Sequence, residues 1–287
     1  MQLFIEQLLN GIATGSIYAL VTLGLALVYG IMRILHVAHA AVYTIGAYVG
    51  LLFFNLTGSL LLAVLGSMAA CALVGVAIER FVYFPLLKHP PFVPLIASIA
   101  ILLSVEELCR LIAGPQILTF PAELPFPEFL VAGVKVTSTI TAVYCITAAV
   151  LGLLWVVTTK TELGLAMRAA SQDMAVADAM GINSHLIVSI TFVIGSAVAA
   201  VAGILVGIYF NQVYPTMGAI PAYKTLALIV VGGLGSVPGA VVAALLLGMA
   251  ETLLIGYADI PLPRDALAFI AMIGMLMWRS QGLLGSR

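Results

Sequence analysis

Two histidines and an arginine stand in a part of the chain that is otherwise almost free of charge. The segment RILHVAHAAVYTIGAYVG, residues 33–50, contains Arg33, His36 and His39. His36 and His39 are three positions apart, so on any helix they share a face. A neutral imidazole both donates and accepts hydrogen bonds. This pair is therefore suited to bonding an exposed backbone carbonyl group.

The composition places these polar groups inside a membrane protein. Hydrophobic residues make up 63% of the 287 residues, charged residues only 8%, and the mean hydropathy is +1.21. A soluble domain has roughly 25% charged residues. Lipid offers the backbone no hydrogen bonds, so we expect an all-α polytopic membrane protein. The net charge of −1 gives no reason to expect a nucleic-acid partner, and the N-terminus shows no signal for cleavage.

The lengths of the apolar runs predict about eight transmembrane helices, since about 20 residues cross the hydrocarbon layer. They lie at residues 8–30, 37–54, 60–78, 92–112, 137–157, 187–209, 224–255 and 265–279. The seventh run contains GGLGSVPG, residues 232–239, and its glycines and proline should break the helix into 224–234 and 238–255. We expect a similar break at RILHVAH, residues 33–39.

Positive charges in the short loops predict the orientation. Three loops or ends carry two basic residues each and should be cytoplasmic: Arg80 and Lys88, Lys160 and Arg168, and Arg279 and Arg287. The proline-rich segment of about 113–136 then lies outside as an extended cap, and the segment of about 158–186 faces the cytoplasm. Helix parity places the N-terminus outside if residues 31–40 do not cross the membrane.

Glycine pairs hint at an internal duplication. Pairs four residues apart allow helices to pack closely, and they occur at Gly11/Gly15, Gly46/Gly50, Gly203/Gly207 and Gly235/Gly239. The first two pairs are 35 residues apart and the last two are 32 apart. Duplicated halves, which many transporters have, would explain this spacing. Chance is the alternative in a chain with 27 glycines.

The segment 158–186 predicts two short helices. Thr159 and Glu162 fit a capping box that opens a helix over 162–170. Ser171, Gln172 and Asp173 can break that helix and cap a second one over 174–180. Gly181 is suited to ending it. This shape would allow another protein to dock, while an ordinary connecting loop is the alternative.

Several motifs, in order along nearly the whole chain, resemble branched-chain amino acid permeases of ABC importers. They are NGIATGSIYALVTLGLALVYGI, HVAHAAVYTIGAY, ERFVYFPLLK, ELGLAMRAASQDMAVADAMGINSHLIVSITFVIGSAVAAVAGIL, LALIVVGGLGSVPGAVVAALLLGMAE and WRSQGLLG. The compact size resembles the LivH-type half of a permease pair. Where the family has Asn-Phe-Ala-His-Gly, this chain has His36-Val37-Ala38-His39-Ala40, so the local backbone geometry and the choice of substrate are open.

The resemblance implies a single transmembrane permease domain over residues 1–287 in the bacterial plasma membrane. Its implied partners are a second, LivM-like permease, two cytoplasmic ATPase subunits, a periplasmic binding protein, the amino acid substrate and membrane lipid. ATP and Mg²⁺ would bind on the ATPases, and we expect no cofactor in this chain, which lacks the G-x-x-x-x-G-K-[ST] phosphate loop. The same family also serves urea, short amides and other amino-acid-like solutes.

Two sets of functional residues are expected, of which the resemblance implies the first. Coupling to the ATPases would fall to Glu162, Arg168, Ala170, Ser171, Asp173 and Gly181, in a mechanical role. The translocation path would include His36, His39, Tyr43, Gly232, Gly233 and Gly235. For the histidines we prefer a structural role at the helix break, with direct substrate contact and metal binding as alternatives.

Other charged groups and other functions stay open at this point. Glu106 and Arg110 are four positions apart and are predicted to pair, with Glu107 on a different face. Glu251 lies either near the outer interface or against the other half of the chain. The rival functions are a self-sufficient secondary transporter or channel, which would need an ion-coupling site, and a membrane-embedded enzyme, for which no nucleophile or metal set is found.

Overall fold

The computed structural model describes residues 2–122, 124–257, 264–279 and 281–285. Its helices, in chain order, are α1 Gln2–Met32, α2 His39–Thr57, α3 Leu60–Ile78, α4 Phe84–Leu86, α5 Phe92–Ala113, α6 Ser138–Lys160, α7 Glu162–Gln172, α8 Met174–Ala179, α9 Ser184–Tyr209, α10 Ala219–Gly232, α11 Val237–Tyr257 and α12 Arg264–Trp278. A π-helical turn, Glu79–Tyr83, joins α3 to α4, and a 3₁₀ turn, Pro215–Gly218, precedes α10.

The all-α polytopic prediction is confirmed. The described residues contain eight helices that are long and apolar enough to cross a membrane, and α12 is a shorter apolar helix. The seventh predicted run is indeed two helices, separated at residues 233–236. Its first part is longer than predicted, because α10 begins at Ala219 rather than at Lys224. Lys224 therefore lies inside this apolar helix.

The chain between α1 and α2 is the predicted break. Residues 33–38 leave the α-helical path, and Arg33 has a φ of +53°. The backbone N–H of Ala38 donates to Ser98 Oγ at 2.8 Å, which satisfies a group that the break exposes. The break is therefore held by a side chain of α5.

Two central helices organise the bundle. α1 packs against α11 and α9, while α9 also packs against α2 and α3. Small residues allow these contacts: a Cβ added at Gly15 would lie 2.8 Å from Leu245 Cα in α11. Leu20, Leu23 and Phe192 are at most 1% exposed and form part of the core between the central helices.

The packing supports duplicated halves. In this comparison α1, α2, α3 and α5 correspond to α9, α10, α11 and α12. α3 packs on α9 just as α11 packs on α1, and α5 packs on α2 just as α12 packs on α10. Only some of the paired glycines lie at helix contacts. Gly15 and Gly46 lie at close helix contacts, but Gly235 has a φ of +85° in the turn between α10 and α11. The prediction that Gly235/Gly239 is a helix-packing pair is therefore wrong.

The segment after α5 is extended and lies against the end of α9. Leu118 pairs with Val213 in an isolated bridge, and Phe120 N–H donates to Asn211 Oδ1 at 3.0 Å. The buried ring of Phe120 covers Gly207. A short antiparallel hairpin follows, with β1 Phe129–Val131 and β2 Val134–Val136, which the sequence did not predict.

Candidate functional site

The segment between α6 and α9 begins differently from its prediction. α6 continues to Lys160, and the hydroxyl of Thr159 donates to the Trp155 carbonyl inside that helix. The N-cap of α7 is Thr161, whose Oγ1 accepts from Gly164 N–H at 3.2 Å. The predicted Thr159–Glu162 capping box is therefore wrong, because α6 extends further than its apolar run.

The two short helices are confirmed, but Ser171 and Gln172, which were predicted to break the first helix, belong to α7. Asp173 separates α7 from α8, and its Oδ1 accepts from the N–H groups of Ala175 at 2.8 Å and Val176 at 3.0 Å. Gly181 follows α8 with a φ of +89°, a conformation that glycine adopts without steric cost. The chain therefore turns sharply on both sides of α8.

A third capping contact fixes the passage into α9. Asn183 Oδ1 accepts from Leu186 N–H at 3.0 Å, and Asp178 Oδ1 accepts from Ser184 N–H at 2.9 Å. The bond from this backbone N–H lowers the pKa of the Asp178 carboxyl below its usual value, because it favours the charged form. Hydrogen bonds to charged groups are stronger than neutral ones, so α8 is held firmly against the start of α9.

The six predicted coupling residues differ in their surroundings. Glu162 is exposed in the first turn of α7, and Asp173 and Gly181 are exposed on either side of α8. Arg168 is also exposed, but its guanidinium donates to the Thr158 carbonyl and so ties α7 to α6. The hydroxyl of Ser171 donates to the Arg168 carbonyl at 2.8 Å, and Ala170 is only 2% exposed. Arg168, Ala170 and Ser171 thus make internal contacts.

Three apolar side chains on α7, on α8 and directly after α8 were missed by sequence reasoning. Leu165 is 61% exposed, Val176 is 59% exposed and Met180 is 79% exposed. They stand in a segment that is too polar and too short to cross the membrane. The sequence feature that could have revealed them is the presence of large apolar residues on the outward face of two capped helices. Exposed apolar groups rimmed by polar residues mark interaction surfaces.

A large cavity lies beside this segment. It has a volume of about 1110 Å³ and is lined by the last turns of α1 and α6, by α7, and by the turn between α10 and α11. Arg33, Thr158, Arg168, Gly235 and Ser236 provide polar groups on its wall. The predicted path residue Gly235 therefore faces open space.

The other two predicted path glycines pack against the chain's C-terminal tail. Leu284 N–H donates to the Gly232 carbonyl at 3.0 Å. Gly233 has a φ of +110°, and a Cβ there would lie 2.6 Å from Gly285 N. These two glycines allow the tail to close over the end of α10.

The two histidines are buried in the interior. His36 Nδ1 lies 2.7 Å from Tyr83 Oη, and His39 Nε2 lies 3.1 Å from the Val21 carbonyl in α1. His36 is 1% exposed, His39 is 2% exposed and Tyr43 is 1% exposed, so none of the three reaches the surface of the chain. The contacts favour the structural interpretation, with one difference. The bonded carbonyl lies within α1, not at the break.

A buried ion cluster joins four helices. Lys224 Nζ in α10 lies 2.9 Å from Glu251 Oε1 in α11 and 3.1 Å from Asp265 Oδ1 in α12. The hydroxyl of Tyr18 in α1 donates to Glu251 Oε2 at 2.8 Å, and Tyr223 donates to Asp265 Oδ2 at 2.6 Å. Glu251 is thus bonded to other parts of the chain. The sequence signal is one lysine and one glutamate in consecutive apolar helices.

The ion pair that the sequence predicted for Arg110 forms with a different partner. Arg110 lies 2.6 Å from Glu107, and both side chains are largely exposed. The predicted pairing of Arg110 with Glu106 is wrong, because Glu106 turns inward and is only 9% exposed. An exposed pair of this kind contributes little to stability.

No group of three His, Cys, Asp or Glu side chains among the described residues could hold a metal ion. The large cavity and the buried ion cluster are the internal features that stay as candidates for a functional role. Together with the membrane helices, they define the chain as a polytopic subunit of the transport type, with an exposed two-helix segment on one face.

Comparison with known proteins assigns the family. Residues 7–277 match the family described as branched-chain amino acid transport system / permease component. The chain belongs to this family.

Curated relatives match over almost their full length. The chain is 34% identical over 297 residues to the high-affinity branched-chain amino acid transport system permease protein BraD of Pseudomonas aeruginosa, covering 98% of this chain and 96% of that protein. It is 31% identical over 296 residues to LivH of Escherichia coli K12, with the same coverage. Among solved structures, PsaBC from Streptococcus pneumoniae in complex with Fab matches with a TM-score of 0.45 and 14% identity, covering 96% of this chain and 88% of that chain.

Proposed function

We propose that this chain is the membrane permease subunit of an importer for branched-chain amino acids, driven by separate ATPase subunits. The family and the printed names of BraD and LivH support the substrate class. The chain itself contributes the path and the coupling surface and carries no ATP chemistry. ATP and Mg²⁺ bind on the ATPases.

The exposed α7–α8 segment carries the proposal. Leu165, Val176 and Met180 present apolar surface, and the Asp173 cap and the Gly181 turn fix the direction in which they point. A large exposed apolar side chain gains free energy when a partner covers it. We assign an ATPase subunit as that partner, with Glu162 and Asp173 as charged groups at the rim of the contact.

The orientation follows from the helix directions. Tyr144, near the start of α6, donates to the Leu9 carbonyl of α1 at 2.6 Å, and the last turns of both helices line the same cavity. α1 and α6 are therefore parallel. With α7–α8 in the cytoplasm, the N-terminus and the segment of residues 113–136 face outward, where the binding protein docks. The cavity beside Arg33 and Arg168 then lies at the cytoplasmic end of the path.

A second permease completes the path in this proposal. Many side chains on the outer faces of α5 and α12 are large, apolar and exposed, including Ile96, Leu103, Ile273 and Leu276. Lipid covers part of these faces, and a LivM-like subunit covers the rest. The second subunit is a partner of the same type, because membrane transporters build their sites between repeated units.

One experiment tests the docking surface. The chain is co-expressed with its candidate partner permease and ATPases, and the ATPases that co-purify are measured. Val176→Asp should reduce their recovery at least fivefold, because a charge replaces the apolar contact. Leu130→Asp is the matched control, since Leu130 is 72% exposed on the opposite face, and it should leave recovery unchanged. Equal recovery with Val176→Asp would contradict the assigned surface.

A second experiment tests the substrate. The complete system, with its binding protein, is placed in liposomes, and leucine, isoleucine, valine, urea and phenylalanine are added one at a time. Stimulation of ATP hydrolysis by the branched-chain amino acids supports the proposal. Stimulation by urea or another solute alone would support the ABC importer assignment and contradict the assigned substrate class.

A further inference from the structure

A small apolar cavity lies between α10, α11 and α12. It has a volume of about 260 Å³, many times the 10–15 Å³ that a single water needs. Its wall is formed by apolar side chains, among them Ala227, Leu228, Leu247, Ala268 and Ala271. Leu246 and Ile270 also line it and are 49% and 55% exposed, so the cavity opens to the surface of the chain.

The ion cluster lies about one helical turn beyond the wall of this cavity, and its charged residues do not themselves line it. Each charged residue is one helical turn from a lining residue of its own helix: Lys224 from Leu228, Glu251 from Leu247 and Asp265 from Ala268. Residues three or four apart on a helix are neighbours on one face, about 5–6 Å apart. An apolar cavity with an ammonium and two carboxylates one helical turn away combines the groups that a hydrophobic zwitterion needs.

We propose that the cavity and the ion cluster form a binding site for an aliphatic amino acid within this permease. The α-carboxylate of the ligand bonds Lys224, its α-ammonium bonds Asp265, and its side chain occupies the cavity. The inference rests on the proposed function and adds the place where the permease itself holds the substrate.

Burial distinguishes the two carboxylates of the cluster. The Lys224 and Glu251 side chains are 3% and 2% exposed, and Tyr18 also bonds Glu251, so this pair stays together. The Asp265 side chain is 35% exposed. Asp265 is therefore the carboxylate that releases Lys224 and bonds the ligand's α-ammonium instead.

The exchange keeps buried charges paired. Removing one member of a buried ion pair is costly, since the other is left without compensation. A zwitterion brings one charge of each sign, so Lys224 gains a carboxylate when Asp265 turns to the ammonium. A neutral solute such as urea offers neither charge and no apolar side chain. The site is therefore selective for amino acids with aliphatic side chains.

The experiment uses a leucine analogue that carries a photoreactive diazirine in its side chain. The permease–ATPase complex is prepared in lipid nanodiscs without the binding protein and is irradiated with the analogue. Labelled peptides are identified by mass spectrometry. We expect labels on α10, α11 and α12, and we expect leucine to compete at least tenfold better than leucinamide, which lacks the carboxylate.

Variants separate binding from folding. Ala271→Leu fills the cavity and should reduce labelling about tenfold, as expected when an apolar pocket loses room for a few methylene groups. Ala149→Leu is the control, since Ala149 lies on an exposed face of α6, and it should label normally. In Lys224→Met, the preference for leucine over leucinamide should disappear, which a purely structural lysine would not explain.

The outcomes also separate this inference from the proposed function. Leucine uptake by the complete system with no label on α10–α12 would overturn the site and leave the function standing. Labelling that is unchanged in Ala271→Leu would overturn the site as well. Absence of leucine uptake and of ATPase stimulation by leucine would overturn the function itself.

Discussion

The ammonium of Lys224 and the carboxylate of Glu251 lie 2.9 Å apart, and each side chain is at most 3% exposed. Breaking such a pair costs about 3–5 kcal/mol, because the remaining charge is buried without compensation. We therefore expect Lys224→Met to lower the thermal unfolding midpoint of the purified complex markedly. Unfolding followed by intrinsic fluorescence would measure this change.

The double variant Lys224→Met/Glu251→Leu serves as the control for that prediction. Replacing a buried ion pair by apolar groups is often neutral, so most of the lost stability should return. If the double variant were as unstable as Lys224→Met, the pair would not account for the loss. If Lys224 also binds the substrate carboxylate, the double variant should be stable and should still show no preference for leucine over leucinamide.

The cap of α8 can be tested through backbone exchange. Asp173→Ala removes the acceptor for the N–H groups of Ala175 and Val176, and loss of an N-cap costs about 1 kcal/mol. We expect hydrogen exchange at these two amides to become about fivefold faster. Asp173→Asn retains a capping oxygen and should exchange nearly as the natural chain does. Equal rates in all three proteins would show that the cap does not hold α8.

The turn at Gly181 can be tested by adding a single methyl group. Its φ of +89° is unfavourable for any residue with a Cβ, while the space around it is open. Gly181→Ala should therefore cost about 1–2 kcal/mol through the backbone alone and reduce substrate-stimulated ATP hydrolysis. Gly152→Ala is the control, because Gly152 has no close neighbour and an ordinary helical backbone. A full response from Gly181→Ala would contradict the role of this turn.

The crossing of α1 and α11 depends on close backbone approach. A Cβ at Gly15 would lie 2.8 Å from Leu245 Cα and 3.0 Å from the Ala244 carbonyl oxygen. Gly15→Ala should cost about 1–3 kcal/mol through overpacking, read as a lower unfolding midpoint. Gly274→Ala in α12 meets nothing within 4 Å and should be tolerated. A stable Gly15→Ala protein would mean that the helices separate there without cost.

The lengths of the apolar runs and the positions of helix-breaking glycine and proline residues predicted the helices well. The break at residues 233–236 and the helix-ending role of Gly181 follow from local backbone chemistry. The start of α7 was misplaced because α6 continues through Thr159 to Lys160. That continuation depends on packing against α7, which no local pattern contains.

The polar sites were less accessible to sequence reasoning. His36 and His39 attracted attention by their spacing, but their partners Tyr83 and Val21 are far away in the chain. Lys224 and Glu251 are 27 residues apart on separate helices. Only their shared position in apolar surroundings hints that they meet.

The most direct test of the account is leucine uptake into liposomes that contain the permease pair and both ATPases. Binding protein and labelled leucine are supplied outside, and ATP is enclosed inside. We predict uptake that requires enclosed ATP and continues when the proton and sodium gradients are collapsed. Uptake by this chain alone, driven by an ion gradient without ATP, would contradict the account and identify a secondary transporter.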